Sequence, residues 1–243
     1  MGRVAAIFIS LRNVRQDKRG SRSASLAKPR IDFAPSIKKL YHTAIASRSS
    51  LQPMSELPRL RDAIEAATQT LRALSSLEPQ MARAADVIDQ CLGAGNKLLV
   101  CGNGGSAADA SHFATELVVR FANDRTALPA ICLASDSGIL TAAGNDYGFD
   151  EIFARQVAAF GVPGDVFIGL TSSGQSKNVI RALKEAKDRQ MKTIAFLGRD
   201  GGSMVGIADI DLLVKSDSTA RVQEAHQLLL HVLCEIIEER LER

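Results

Sequence analysis

His112 and Glu116 stand four residues apart in "CGNGGSAADASHFATEL", residues 101–117. That spacing puts both on one face of a helix. An imidazole and a carboxylate so placed can meet one metal ion, or act on one substrate as acid and base. The same spacing also makes an ordinary surface pair, so the residues just ahead of it matter. Gly102-Asn103-Gly104-Gly105-Ser106 reads as a loop whose glycines bring backbone N–H groups close to a ligand. The helix it opens favours an anion at its N-terminus. Gly102-x-Gly104-x-x-Ala107 also satisfies the dinucleotide pattern literally, but that match is weak. The acid that should bind a ribose is represented only by Asp136, about a dozen residues too far along. A Walker lysine is missing from the loop, which argues against a nucleoside triphosphate.

A second candidate cradle lies at "TSSGQSKNVI", residues 171–180. Thr171, Ser172, Ser173 and Ser176 supply four hydroxyls around Gly174 where a helix begins, and unpaired N–H donors at a helix start hold phosphate well. Such a turn alone is commonly just a helix cap. Two cradles in one fold suit a phosphosugar, with one loop on the phosphate and the other on sugar hydroxyls. Asn145 and Asp146 offer an amide and a carboxylate suited to vicinal hydroxyls, and they read equally well as a capping turn. In the last helix, about residues 218–241, Gln223, Gln227 and His231 form a polar stripe at i, i+4, i+8. Gln223 and His231 lie about 12 Å apart along a helix, so reaching one ion together requires full extension.

These residues must be positioned by something, and the chain supplies an α/β frame. "KLLVC" (97–101), "PAICLA" (129–134), "DVFIGLT" (165–171), "KTIAFLG" (192–198) and "IDLLVK" (210–215) are short apolar runs separated by helical segments. Runs apolar on both faces imply a parallel five-stranded sheet with helices on both sides, flavodoxin- or Rossmann-like. Sites in such folds lie at the carboxyl ends of the strands, where both cradles fall. Two helices precede the sheet. The first carries an apolar stripe of Leu57, Leu60, Ile64, Ala67, Leu71 and Leu74, and the second one of Ala82, Ala85, Ile88 and Leu92. Both suit packing on the core or on sister subunits. Val222, Ala225, Leu229, Leu233 and Ile236 make the core face of the final helix.

The charge is uneven. Residues 1–53 hold eleven Lys and Arg against Asp17 and Asp32, a balance of +9, which leaves −6 on the remainder of a chain whose net charge is +3. The body is therefore an acidic globule and is not expected to bind nucleic acid. The segment 1–53 reads as a basic, disordered extension, with Met54 an alternative start and 54–243 the folded domain. Cys91, Cys101, Cys132 and Cys234 are scattered without CxxC spacing and read as buried thiols of a reducing compartment. No run approaches the ~18 apolar residues of a membrane span, and "VAAIFISL" (4–11) lacks an export cleavage site. A cytoplasmic protein without membrane contact is expected.

Taken in order and spacing, "CGNGGSAADASHFATEL", "GNDYGFDEIF", "GDVFIGLTSSGQSKNVI" and "ARVQEAHQLLLH" resemble the SIS (sugar isomerase) domain family, and within it the branch that isomerises heptose 7-phosphates. The resemblance runs from about Met54 to the end. It implies that Asn103, Gly104 and Gly105, with Ser106 beside them, bind sugar, that Asn145 and Asp146 bind hydroxyls, and that Thr171, Ser172, Ser173 and Ser176 cradle the phosphate. It further implies a zinc ion on His112, Glu116, Gln223 and His231. Gln223 would also touch substrate, Glu116 would be the catalytic base and His231 the catalytic acid. The implied assembly is a homotetramer, with the N-terminal helices at its interfaces. Ala220 stands where some members carry an acid. Rival readings are a non-catalytic tetramer that binds the bacterial replication initiator DnaA, a sugar-phosphate sensor, and, furthest off, a dehydrogenase.

Overall fold

The five apolar runs are strands of one parallel sheet in the computed structural model, which describes residues 57–241. They are β1 (Leu98–Gly102), β2 (Ala130–Cys132), β3 (Val166–Thr171), β4 (Lys192–Gly198) and β5 (Ile210–Val214). Their order is β2-β1-β3-β4-β5, each pair parallel, with Leu98 opposite Val166 and Val166 opposite Lys192. Every residue of β1 and β3 is buried, as a sheet covered on both faces demands. Alternation sorts the side chains into two cores. Leu98, Val100, Ile168, Leu170 and Phe196 point one way, while Leu99, Cys101, Phe167, Ala195 and Leu197 point the other. The edge strand β2 is half-exposed and only three residues long, shorter than the run that announces it.

The helices are α1 (Leu57–Ala73), α2 (Glu78–Gly93), α3 (Gly105–Val118), α4 (Ser137–Tyr147), α5 (Ala154–Phe160), α6 (Lys177–Asp188) and α7 (Thr219–Leu241). Helices α2, α3 and α7 cover the first core, and α5 and α6 the second. On α2 the buried face is Met81, Ala84, Ala85, Ile88 and Cys91. It is rotated from the expected stripe, leaving Ala82 exposed and Leu92 at the rim. On α1 the stripe is seated only at its end: Leu71 packs against the core, whereas Leu60 and Ile64 are 59% and 57% exposed. Cys91, Cys101 and Cys234 are buried free thiols and Cys132 is half-buried. The basic segment 1–53 lies outside the described residues. Among the described residues no helix is long and apolar enough to cross a membrane.

Sequence patterning gave no special weight to His226, which faces the core of α7 and is fully buried. Its Nε2 lies 3.2 Å from the Leu197 carbonyl, so Nε2 carries the proton and donates. Nδ1 is buried without a partner, and the ring meets Phe196 edge-on. Burial pushes the imidazole down to about 4, against a smaller opposing effect of the Leu197 hydrogen bond. With the folded value below the ordinary one, the unfolded chain takes the proton first as pH falls. Stability from neutral His226 is therefore complete above the ordinary imidazole range and declines as pH drops toward about 4. Between pH 7 and pH 5 the wild-type protein should lose about 2 kcal/mol more unfolding free energy than His226→Met. Urea unfolding of both proteins at the two pH values measures this, and equal losses would contradict it.

Candidate functional site

The sheet order reverses between β1 and β3, opening a crevice at their carboxyl ends. The glycine loop leaves β1 and the hydroxyl loop leaves β3. Gly102 is glycine because a Cβ there would lie 2.5 Å from the Ser106 carbonyl oxygen. Gly104, at φ +56°, turns the chain into α3. Ser106 is itself buried beneath this loop, so it shapes the cradle from below.

In the hydroxyl loop Thr171 is the hub. Its Oγ1 lies 3.0 Å from Ser176 Oγ and 3.4 Å from Ser173 Oγ, and accepts from the Gly174 N–H at 3.2 Å. Ser176 occupies the position before α6, yet its side chain makes no capping bond. A plain helix cap would have turned its hydroxyl inward to the helix N–H groups; this one joins the other hydroxyls. Ser172 and Ser173 are half-buried on the same turn. Gly174 sits at φ +65°, and a Cβ there would lie 2.0 Å from the Gly201 carbonyl oxygen.

A residue that sequence reasoning passed over ties the two cradles together. Asn178, buried in the first turn of α6, donates to Asn103 Oδ1 at 2.9 Å and accepts from Asn103 Nδ2 at 2.8 Å. Asn178 Oδ1 also receives its neighbour Val179's N–H. The reciprocal amide pair locks the loop after β1 to the loop after β3. Its only sequence signal is an amide side chain on the sheet-facing side of "SKNVI".

The ionisable half of the site is built where α3 lies along α7. Gly105, Asp109, His112 and Glu116 descend one face of α3, and Gln223, Gln227 and His231 one face of α7. His112 Nε2 lies 3.0 Å from His231 Nε2 and 3.1 Å from Glu116 Oε1. The His112 side chain is 45% exposed and that of Glu116 18%. An exposed pair of this kind is worth about 0–1 kcal/mol to stability, so it does little to hold the fold together. Gln227 Nε2 donates to His231 Nε2 at 2.7 Å. Gln223 sits higher, its amide against Gly105, where a Cβ would lie 2.2 Å from Nε2. The structure therefore brings His112, Glu116 and His231 together and places Gln227, in preference to Gln223, beside His231. Asp109 is a further carboxyl on this face, with Oδ2 buried and unpartnered. Burial raises it to about 6, partly offset by His112.

Two imidazole nitrogens and a carboxylate oxygen, with that of His112 about 3 Å from each of the other two, are the donor types of a catalytic zinc site. Around an ion at ~2.0–2.1 Å, tetrahedral ligand atoms stand about 3.3 Å apart, a few tenths wider than here. Among the described residues no group of three or more His, Cys, Asp and Glu side chains is placed, as they stand, to hold a metal ion. His112 is the hub, with His231 on one side and Glu116 on the other. Asn145 and Asp146 are brought into neither cradle. They end α4 on an exposed stretch and bond to each other at 2.8 Å. Asp146 borders a cleft of about 310 Å³ in which Arg155 stacks 4.0 Å over Tyr147.

The family model for the SIS domain matches residues 63–198. The chain belongs to the SIS domain family. It is 51% identical over 179 residues to the phosphoheptose isomerase of Geobacter sulfurreducens, covering 73% of this chain and 95% of that one. It is 45% identical over 189 residues to the phosphoheptose isomerase of Shewanella oneidensis, covering 76% and 96%. Among solved structures it is similar to phosphoheptose isomerase GmhA from Neisseria gonorrhoeae, with TM-score 0.73, 41% identity, and 76% of this chain against 100% of that one. The NanR protein of Vibrio vulnificus, at 16% identity and TM-score 0.55, shares the fold alone.

Two glycines of this SIS domain should respond differently to alanine. In Gly105→Ala the new methyl meets only the mobile end of Gln223, so the melting temperature should hold within a few degrees while sugar-phosphate binding weakens. In Gly174→Ala the methyl meets backbone at a left-handed residue, and stability should fall by about 1–3 kcal/mol. Thermal melts with and without sugar phosphate compare them; equal stability losses would refute the distinction.

Proposed function

We propose that this SIS domain is an aldose–ketose isomerase that converts sedoheptulose 7-phosphate to D-glycero-D-manno-heptose 7-phosphate, for surface-polysaccharide synthesis. The observation that carries the reading is the meeting of His112, Glu116 and His231 from two helices beside a paired sugar and phosphate cradle. The relatives named phosphoheptose isomerase support it.

The 7-phosphate is held by the Thr171, Ser172, Ser173 and Ser176 hydroxyls and the N–H groups that open α6. The sugar chain lies along Asn103, Gly104 and Gly105. Because the amide of Asn103 is engaged with Asn178, this loop binds chiefly through its backbone. The ketone of the substrate is at C2. Glu116 takes a proton from C1, giving an enediolate, and a proton returned at C2 yields the aldose. Glu116 faces His112 through Oε1, so Oε2 is the oxygen that carries the proton. His231, steadied by Gln227, moves protons among the substrate oxygens.

One zinc ion per subunit would be held by His112, Glu116 and His231, with an amide of α7, Gln223 or Gln227, as the fourth ligand. Bound there, it supplies a Lewis acid that polarises the carbonyl and steadies negative charge on its oxygen. The exposed Leu60 and Ile64 of α1 support a homotetramer. In it the exposed Asn145 and Asp146 would reach sugar hydroxyls across a subunit boundary. The cytoplasm is its compartment.

Purified protein mixed with sedoheptulose 7-phosphate, followed by carbon NMR with and without a chelator, tests the reading. A new aldose signal that fades with the chelator is expected. Glu116→Gln and His231→Asn should each lower kcat by about 10²–10⁴-fold, and Ser176→Ala should raise KM while sparing kcat. A folded, zinc-supplied protein that makes no aldose would overturn the assignment.

A further inference from the structure

Nothing in the reaction just described uses Glu238, a carboxylate buried near the end of α7. It accepts hydrogen bonds from three consecutive backbone N–H groups, Phe121 at 3.0 Å, Ala122 at 3.0 Å and Asn123 at 2.9 Å. A fourth comes from Arg125 Nε at 3.0 Å. Burial alone would raise this carboxyl, but those N–H groups and the guanidinium hold it below the usual carboxylate range. Arg125 extends the chain of contacts. Its Nη2 donates to the Glu116 carbonyl at 2.7 Å and its Nη1 to the Leu117 carbonyl at 2.9 Å, so it caps the C-terminal end of α3.

The consequence reaches the site from two directions. Glu238 lies seven residues beyond His231, two turns along the same face of α7. The Arg125–Glu238 pair thus joins the helix that carries His112 and Glu116 to the helix that carries His231. The same anchor sets Phe121, whose ring centroid is 5.4 Å from that of His231 and tilted by 38°. His231 is therefore flanked by His112 on one side and by Phe121 on another.

Building on the isomerase reading, we infer that Glu238 is a positioning residue. Through Arg125 it fixes the end of α3, and through Phe121 it fixes the ring of His231, so that His112 and His231 meet in one orientation. The glycine loop lies at the other end of α3 and the hydroxyl loop at the opening of α6, so the clamp acts on turnover and not on substrate capture.

Steady-state kinetics on sedoheptulose 7-phosphate should separate the two. In Glu238→Gln, which keeps the shape and removes the charge, kcat should fall about tenfold while KM stays within about twofold. Phe121→Leu should lose kcat in the same way, and Phe121→Tyr, which keeps the ring, should recover most of it. If Glu238→Gln does not fold, the Phe121 pair decides. Imidazole NMR of labelled protein gives a readout independent of turnover: the single His231 resonance of wild type should broaden or split in Glu238→Gln and in Phe121→Leu. A wild-type protein without turnover removes the isomerase reading and leaves that NMR comparison to judge the clamp. Folded variants with unchanged kcat, a KM that rises in step with the fall in kcat, or an undisturbed His231 resonance would overturn the inference.

Discussion

The contact between α3 and α7 is the constraint on which the site depends. The two helices pack along their length, and at the opening of α3 the missing side chain at Gly105 leaves the room in which the Gln223 amide rests. From that point the helices run on together, and about two turns later the imidazoles of His112 and His231 stand 3.0 Å apart. Buried Glu238 and Arg125 close the far end. Removing one member of such a pair costs about 3–5 kcal/mol, because the other charge is left stranded. The face between is polar where core packing would have been easier, with Asp109 Oδ2 buried and unpartnered on it. A helix pair selected for stability alone would have filled these positions with apolar side chains.

A second constraint acts at right angles to the first. The sheet brings two loops from distant parts of the chain to one crevice, and the Asn103–Asn178 amide pair holds them at a set spacing. Backbone and hydroxyl donors then face a ligand from two sides, a suitable arrangement for a molecule with phosphate at one end and hydroxyls along the rest. In the proposed reading the phosphate is held by hydroxyls and N–H groups at the opening of α6, where the helix end supplies partial positive charge. In that reading capture and chemistry rest on different contacts, the first on loops at the sheet edge and the second on side chains of two helices.

Much of this was legible in the chain. All five strands, the two cradles and the His112–Glu116 face follow from local rules: apolar runs, glycine loops and four-residue spacing. Where the structure differs, the cause is tertiary. Gln227 is one turn from His231 on α7 and bonds to it, while the packing of α3 sets Gln223, two turns away, against Gly105. Asn178 was missed because a single asparagine at a helix start looks the same whether it faces solvent or another amide. Glu238 and His226 were missed because polar residues in a helical repeat are ordinarily assigned to water, and here the packing of loop 121–125 and strand β4 encloses them.

The sequence by itself determined the class of fold, the residue types available for chemistry and the family to which the chain belongs. These depend on order and spacing along the chain, which hydrogen-bonded helices and strands convert into faces. Only the tertiary structure decided the partners. His112 and His231 are 119 residues apart, Asn103 and Asn178 are 75, and Arg125 and Glu238 are 113. Contacts at such separations are set by how the layers pack, and packing is a property of the whole core.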